Sequence, residues 1–147
     1  ISRLYERVNE LGETSPLDKP NVGDLIKITL KVGLTDNLSY VVIDDPLPSI
    51  FESINEDFAS QSSAQPNKIK KNYRISRKEL RAERSLFFLN RSWGNNKQKI
   101  SYLARVTAAG TVHAPPAKVE AMYDPSTHAL SEPQTLTTLM PEATVGH

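Results

Sequence analysis

Between residues 26 and 32 apolar and polar side chains alternate without a break. Ile26, Ile28, Leu30 and Val32 fall on one face, Lys27, Thr29 and Lys31 on the other. Alternation with a period of two over seven residues predicts a strand with one buried and one wet face. A second β-rich run, Tyr40-Val41-Val42-Ile43, follows a short polar break at Asn37-Leu38, and this spacing predicts that the two runs form a hairpin. Asp44-Asp45-Pro46-Leu47-Pro48 ends the second run, because proline cannot donate to a ladder. The alternation returns at Ile100, Tyr102, Ala104 and Val106, set against Lys99, Ser101, Arg105 and Thr107. Leu103 interrupts that polar face and is expected to pack beneath a loop. Ser85-Leu86-Phe87-Phe88-Leu89 has the length and composition of a strand, placed at 85–90. Val119 and Ala121 give a short extended segment that ends at Asp124-Pro125, and Pro115-Pro116 interrupts pairing before it.

The weaker stretches complete the outline. Residues 2–9 alternate only faintly, and 10–23 form a turn-rich connection holding Gly12, Pro16, Pro20 and Gly23. Ser76 and Glu79 have the spacing of a capping box, so 76–83 stays open between one short helix and a strand. Residues 55–72 are a long polar loop, and 131–147, with Pro133 and Pro141, are expected to be a loose tail. Short strands separated by Pro- and Gly-rich breaks predict an all-β fold, an antiparallel β-sandwich over 1–130 followed by that tail.

Composition narrows the function. The 147 residues suit one domain, and Leu, Ile, Val and Phe make up about a quarter of them, enough for a core. Eighteen basic and 17 acidic residues leave a net charge of +1, which gives no electrostatic case for nucleic acid or anionic lipid. No apolar run is long enough to insert in a membrane. The chain starts at Ile1 without a Met, as expected of a piece cut from something longer or of a processed product. Cys is absent, which removes disulfides, thiolate metal sites and a Cys nucleophile together.

Candidate chemistry is sparse. His113, His128 and His147 have no metal-ligand spacing among them, so no metal and no cofactor is expected. There is no Gly-x-Ser-x-Gly elbow and no phosphate-binding Gly-rich loop, so the expectation is a non-catalytic protein and not an enzyme. Asp44 and Asp45 are adjacent carboxylates on an extended segment, where neighbouring side chains point to opposite faces. They therefore suit a strand end with an Asp-Pro turn better than a catalytic pair. Residues 68–84 hold eight basic side chains against Glu79 and Glu83, a local excess that reads as a solvated face more readily than as a binding patch. Trp93 and Tyr102 are expected as core fillers. Met122-Tyr123, just after a short strand, stands open between core packing and an interface role, since both residue types do both.

Several segments in order resemble one family. Val22-Gly23-Asp24 opens the alternating strand, and Tyr40-Val41-Val42-Ile43-Asp44-Asp45-Pro46-Leu47-Pro48-Ser49 and Phe51-Glu52-Ser53-Ile54-Asn55 follow. Glu79-Leu80-Arg81-Ala82-Glu83-Arg84, Phe87-Phe88 and Tyr102-Leu103-Ala104-Arg105-Val106-Thr107-Ala108-Ala109-Gly110 come next. Pro115-Pro116-Ala117-Lys118-Val119-Glu120-Ala121-Met122-Tyr123-Asp124-Pro125 is last. Across residues 20–128 this order resembles the C-terminal macroglobulin-like domain of bacterial alpha-2-macroglobulins. The chain departs from the family at Ile50, where a Gly is usual, and at Arg81-Ala82-Glu83-Arg84.

The resemblance implies a macroglobulin-like β-sandwich at the end of a large periplasmic or cell-envelope protease trap. Its partners would be neighbouring domains of the parent chain, above all a thioester domain, with target proteases reached through the parent. A Cys-x-x-Gln thioester cannot lie in this Cys-free chain. By the resemblance, Met122 and Tyr123 would cover the reactive bond of the thioester domain, and Asp44, Asp45 and Arg105 are carried as candidate partner contacts. The alternative function is a generic β-sandwich adhesion or spacer module of a secreted cell-envelope protein.

Overall fold

A computed structural model of the chain describes residues 1–34, 39–54, 75–91 and 96–140. The expected loop at 55–72, Trp93, His147 and residues 68–74 of the basic window lie wholly or mainly outside the described residues. Twelve strands are described, in chain order β1 (Ser2–Val8), β2 (Thr14–Pro16), β3 (Leu25–Leu34), β4 (Ser39–Pro46), β5 (Phe51–Ser53), β6 (Ile75–Leu80), β7 (Arg84–Arg91), β8 (Asn96–Val106), β9 (Gly110–Ala114), β10 (Lys118–Ala121), β11 (Asp124–Leu130) and β12 (Gln134–Thr138). They build one five-stranded sheet in the order β2-β1-β3-β8-β5, a second in the order β11-β10-β4-β7-β6, and a two-stranded sheet of β12 and β9. All strand pairs are antiparallel.

The alternating faces meet to form the core. Ile26, Ile28, Leu30 and Val32 of β3 and Ile100, Tyr102, Ala104 and Val106 of β8 are buried from the first sheet. Val41 and Ile43 of β4, Phe87 and Leu89 of β7 and Val119 of β10 are buried from the second. The ring centroids of Phe87 and Tyr102 are 5.6 Å apart, so the two sheets touch through side chains as the layers of a sandwich do. Leu103, on the opposite face of β8, is buried, and its carbonyl accepts the Ile54 N–H at 2.9 Å.

Two expectations change, and one open segment is settled. The hairpin between the 26–32 and 40–43 runs does not form: β3 lies between β1 and β8, and β4 lies between β10 and β7 in the other sheet. Both runs bury one face in the same core from opposite sides, and a period of two cannot tell a neighbour from an opposing layer. The open segment 76–83 is a strand as far as Leu80 and a bend from there to β7. β6 pairs with β7 at the sheet edge, and Glu79 meets the guanidiniums of Arg77 and Arg81 at 3.5 and 2.6 Å. Pairing along β7 overrides the local capping signal. Residues 131–139 are also tied down where a loose tail was expected over 131–147, and 141–147 lie outside the described residues. Ser131 and Ala117 exchange two hydrogen bonds of 2.8 Å, β12 pairs with β9, and the Leu139 N–H reaches the Pro20 carbonyl at 2.9 Å. These backbone pairings hold a polar segment in place without a large apolar face.

A buried polar cluster crosses the sandwich. Arg3 of β1 donates from Nη1 to Asp45 Oδ1 at 2.5 Å and from Nη2 to the Pro115 carbonyl at 2.7 Å. Its Nε lies 3.4 Å from Gln134 Oε1 on β12. The Tyr102 hydroxyl donates to the other Asp45 oxygen at 2.5 Å. One guanidinium thus ties together both main sheets, the small sheet and the Pro115-Pro116 connection. Burial pushes the Asp45 carboxyl above the usual carboxylate range, against the pull of Arg3 and Tyr102. The Tyr102 phenol is raised well above its ordinary value, by burial first and by the Asp45 charge second.

Candidate functional site

The turn between β10 and β11 is the most prominent apolar feature among the described residues. β10 alternates inward Val119 and Ala121 with outer Lys118 and Glu120, and Lys118 and Glu120 pair at 2.8 Å. The register pairs Ala121 with Val41, and irregular pairing sets in between Glu120 and Ala121 as β10 turns into β11. The next two residues, Met122 and Tyr123, lie beyond the paired segment and stand 48 % and 80 % exposed. Large side chains left this open at a turn are not filling a core.

Two local devices shape the turn. The Asp124 carboxylate accepts the Ser126 hydroxyl at 2.5 Å and the Thr127 hydroxyl at 2.9 Å, an arrangement typical of Asx-type turns. Those hydrogen bonds, Ser126 first, hold the Asp124 carboxyl below its usual range. On the other side, the Met122 N–H donates to the Tyr40 carbonyl at 2.9 Å, and the Tyr40 and Tyr123 rings meet edge to face with centroids 5.3 Å apart. Tyr40, Met122 and Tyr123 therefore form one exposed apolar patch. Sequence reasoning placed Tyr40 only in a strand. The signal that could have found it is register, since pairing Val41 with Ala121 puts Tyr40 opposite Met122.

Acid titration gives a direct check on the turn. A carboxyl depressed in the folded state adds its stabilising contacts above 3.8 and loses them as pH falls through its folded value. In a carbon-detected titration, Asp124 is expected to have a midpoint below 3.8, and Ser126→Ala with Thr127→Ala to move it back up towards 3.8. A midpoint that ignores the double substitution would mean that the hydroxyls do not hold the turn.

The other expected contacts are scattered. Asp45 is 1 % exposed and engaged by Arg3 and Tyr102, so it presents no surface to a partner in this state. The reason is the strand period: Val41 and Ile43 point inward, and so does Asp45 two residues on. Asp44 faces outward, where Arg84 Nη1 meets its Oδ2 at 3.0 Å. Arg105 is exposed on β8 and donates to the Gly23 carbonyl at 2.8 Å, bracing the turn before β3. Gly23 sits there at φ +97°, a conformation most side chains resist. Neither Asp44 nor Arg105 adjoins the Met122–Tyr123 turn in the ladder. In the basic window, Arg77 and Arg81 share Glu79, and Arg84 holds Asp44, which offsets their charge locally. His113 lies 3.1 Å from the Thr135 hydroxyl. Among the described residues no group of three or more His, Cys, Asp or Glu could hold a metal ion.

Two packed antiparallel sheets with an exposed Met-Tyr turn define an all-β sandwich module. The chain belongs to the bacterial alpha-2-macroglobulin MG10 domain family, whose model matches residues 1–126. It is 27 % identical over 141 residues to an alpha-2-macroglobulin of Thermotoga maritima, covering 92 % of this chain and 8 % of that protein. Its fold is similar to native alpha-2-macroglobulin from Escherichia coli spanning domain MG7 to the C-terminus, with a TM-score of 0.75 and 23 % identity. That similarity covers 95 % of this chain and 23 % of the other. Salmonella alpha-2-macroglobulin reacted with methylamine is similar at a TM-score of 0.72 and 24 % identity, over 95 % of this chain and 9 % of that one. The chain therefore spans a small part of the proteins it matches.

Proposed function

We propose that this domain is a non-catalytic docking and shielding module of an alpha-2-macroglobulin-like protease trap in the periplasm or cell envelope. In this reading Met122 and Tyr123 press against a neighbouring thioester domain and keep water and small amines from its reactive bond. The observation that carries it is the Met122–Tyr123 turn, 48 % and 80 % exposed between β10 and β11. A thioester is an electrophile, and excluding water from it preserves it until it is needed. A thioether and an aromatic ring suit that task. The first adapts to an irregular gap, and the second covers a wide area while its hydroxyl stays free to hydrogen-bond. Membership of the family supports the reading, and a Salmonella relative reacted with methylamine shows the kind of probe that tests it.

The test uses the full-length protein. Met122→Ala with Tyr123→Ala is expected to speed the uptake of methylamine before any protease is added, by about tenfold for the loss of two apolar covers. The protease-triggered reaction should then find less thioester left. Uptake at the wild-type rate in the double variant, or no uptake in any form, would remove the shielding role.

A further inference from the structure

Tyr40 stands at φ +58°, in the left-handed region that a bulky side chain rarely adopts. A residue held there costs free energy and persists only where the surroundings impose it. Nothing in the core asks for it, since the Tyr40 side chain is 47 % exposed. What the conformation does achieve is visible at the turn. It aims the Tyr40 carbonyl at the Met122 N–H, 2.9 Å away, and sets the Tyr40 ring edge to face against Tyr123 at 5.3 Å and 81°. Ser39 and Val41, on either side of Tyr40, pair with Arg91 and Leu89 of β7. The strand thus takes up a left-handed conformation at a position that meets the tip.

We infer that Tyr40 is a positioning residue, which presets the Met122–Tyr123 turn in its outward pose before any partner arrives. This rests on the docking role proposed for that turn. A tip of two large, freely rotating side chains would lose conformational entropy on docking, and ordering it beforehand removes part of that loss. An edge-to-face ring contact and one backbone hydrogen bond to the adjacent residue give such order at little cost in exposed area.

The informative substitution is Tyr40→Gly in the full-length protein. Glycine accepts φ +58° readily, so the thermal midpoint should hold or rise while the ring contact is lost. Tyr40→Asn, which also tolerates this conformation, serves as the second ring-free variant, and Tyr40→Phe keeps the ring. Hydrogen exchange of peptides spanning residues 118–128 reads the order of the tip. Both ring-free variants should exchange about two- to tenfold faster at the Met122 amide, the factor expected of one aromatic pair, and Tyr40→Phe should match the wild type. Methylamine uptake should rise with Tyr40→Gly and show little further rise when it is added to Tyr123→Ala. Unchanged exchange at the tip in both ring-free variants overturns the inference, whatever uptake does. Faster exchange with uptake unmoved even by Tyr123→Ala keeps Tyr40 as a positioning residue and removes the shielding role instead.

Discussion

Asp45→Ala is expected to destabilise the domain by about 3–5 kcal/mol, the usual cost of leaving a buried charge without its partner. For a chain of this size that is a fall of roughly 10–15 °C in Tm. The uncompensated group is Arg3, whose side chain is fully buried and which would keep only the Pro115 carbonyl and Gln134. Arg3→Ala should cost a similar amount by stranding the Asp45 carboxylate. Replacing all three members together, as Arg3→Met, Asp45→Leu and Tyr102→Phe, should recover most of the loss, because an apolar set of similar volume has no charge to desolvate. Urea midpoints of the single and triple variants decide it. Additive losses, with the triple worst of all, would mean that the cluster stabilises outright.

The pH dependence of that cluster has a definite sign. Burial raises the folded-state value of Asp45 above 3.8, so on acidification the native state takes up this proton before the unfolded chain does. The contribution of this group is complete below 3.8 and is lost as pH rises through the raised folded value. Above that raised value the ionised pair fixes geometry more than it adds stability. Measured against Asp45→Asn, the wild type should gain stability as pH falls across that window.

Phe87→Ala is the second large effect, with an expected loss of about 3–5 kcal/mol from a cavity at the middle of the sandwich. Phe87 is 1 % exposed, pairs across the ladder with Ile43 and meets Tyr102 from the opposite sheet. Its neighbour provides the control. Phe88 points the other way, half-buried beneath the Arg77 guanidinium at 4.3 Å from the ring centroid. Phe88→Ala should cost only about 1 kcal/mol, the scale of one partly exposed cation–π contact. Equal losses at the two positions, read from urea unfolding at constant slope, would put both rings in the core and contradict the strand period.

The comparison of these neighbouring rings also marks how far local pattern reaches. Alternation at 26–32 and 100–106 fixes which side chains of β3 and β8 face inward, because side chains on a strand can only go to one face or the other. The same rule separates Asp44 from Asp45, and Phe87 from Phe88. It carries no information on partners, which is why β3 and β4 could be expected as a hairpin and yet lie in opposite sheets. The Ser76–Glu79 spacing left 76–83 open for a related reason: a cap signal concerns one turn of chain, while pairing along β7 supplies bonds over the whole of β6.

At the candidate site the division is the same. Met122 and Tyr123 stand out in the sequence as large apolar residues between a short strand and an Asp-Pro, and order of motifs is enough to recognise the family. Their exposure, the Tyr40 ring beside Tyr123 and the removal of Asp45 from the surface depend on tertiary structure. Arg3 and Asp45 are 42 positions apart, and Tyr102 is 57 further on. By itself the sequence determined the central strands and their inward faces, the absence of any thiol and the residues of the turn. Only folding decided which strands became neighbours and which charges met, because those contacts join positions whose separation along the chain leaves no periodic trace.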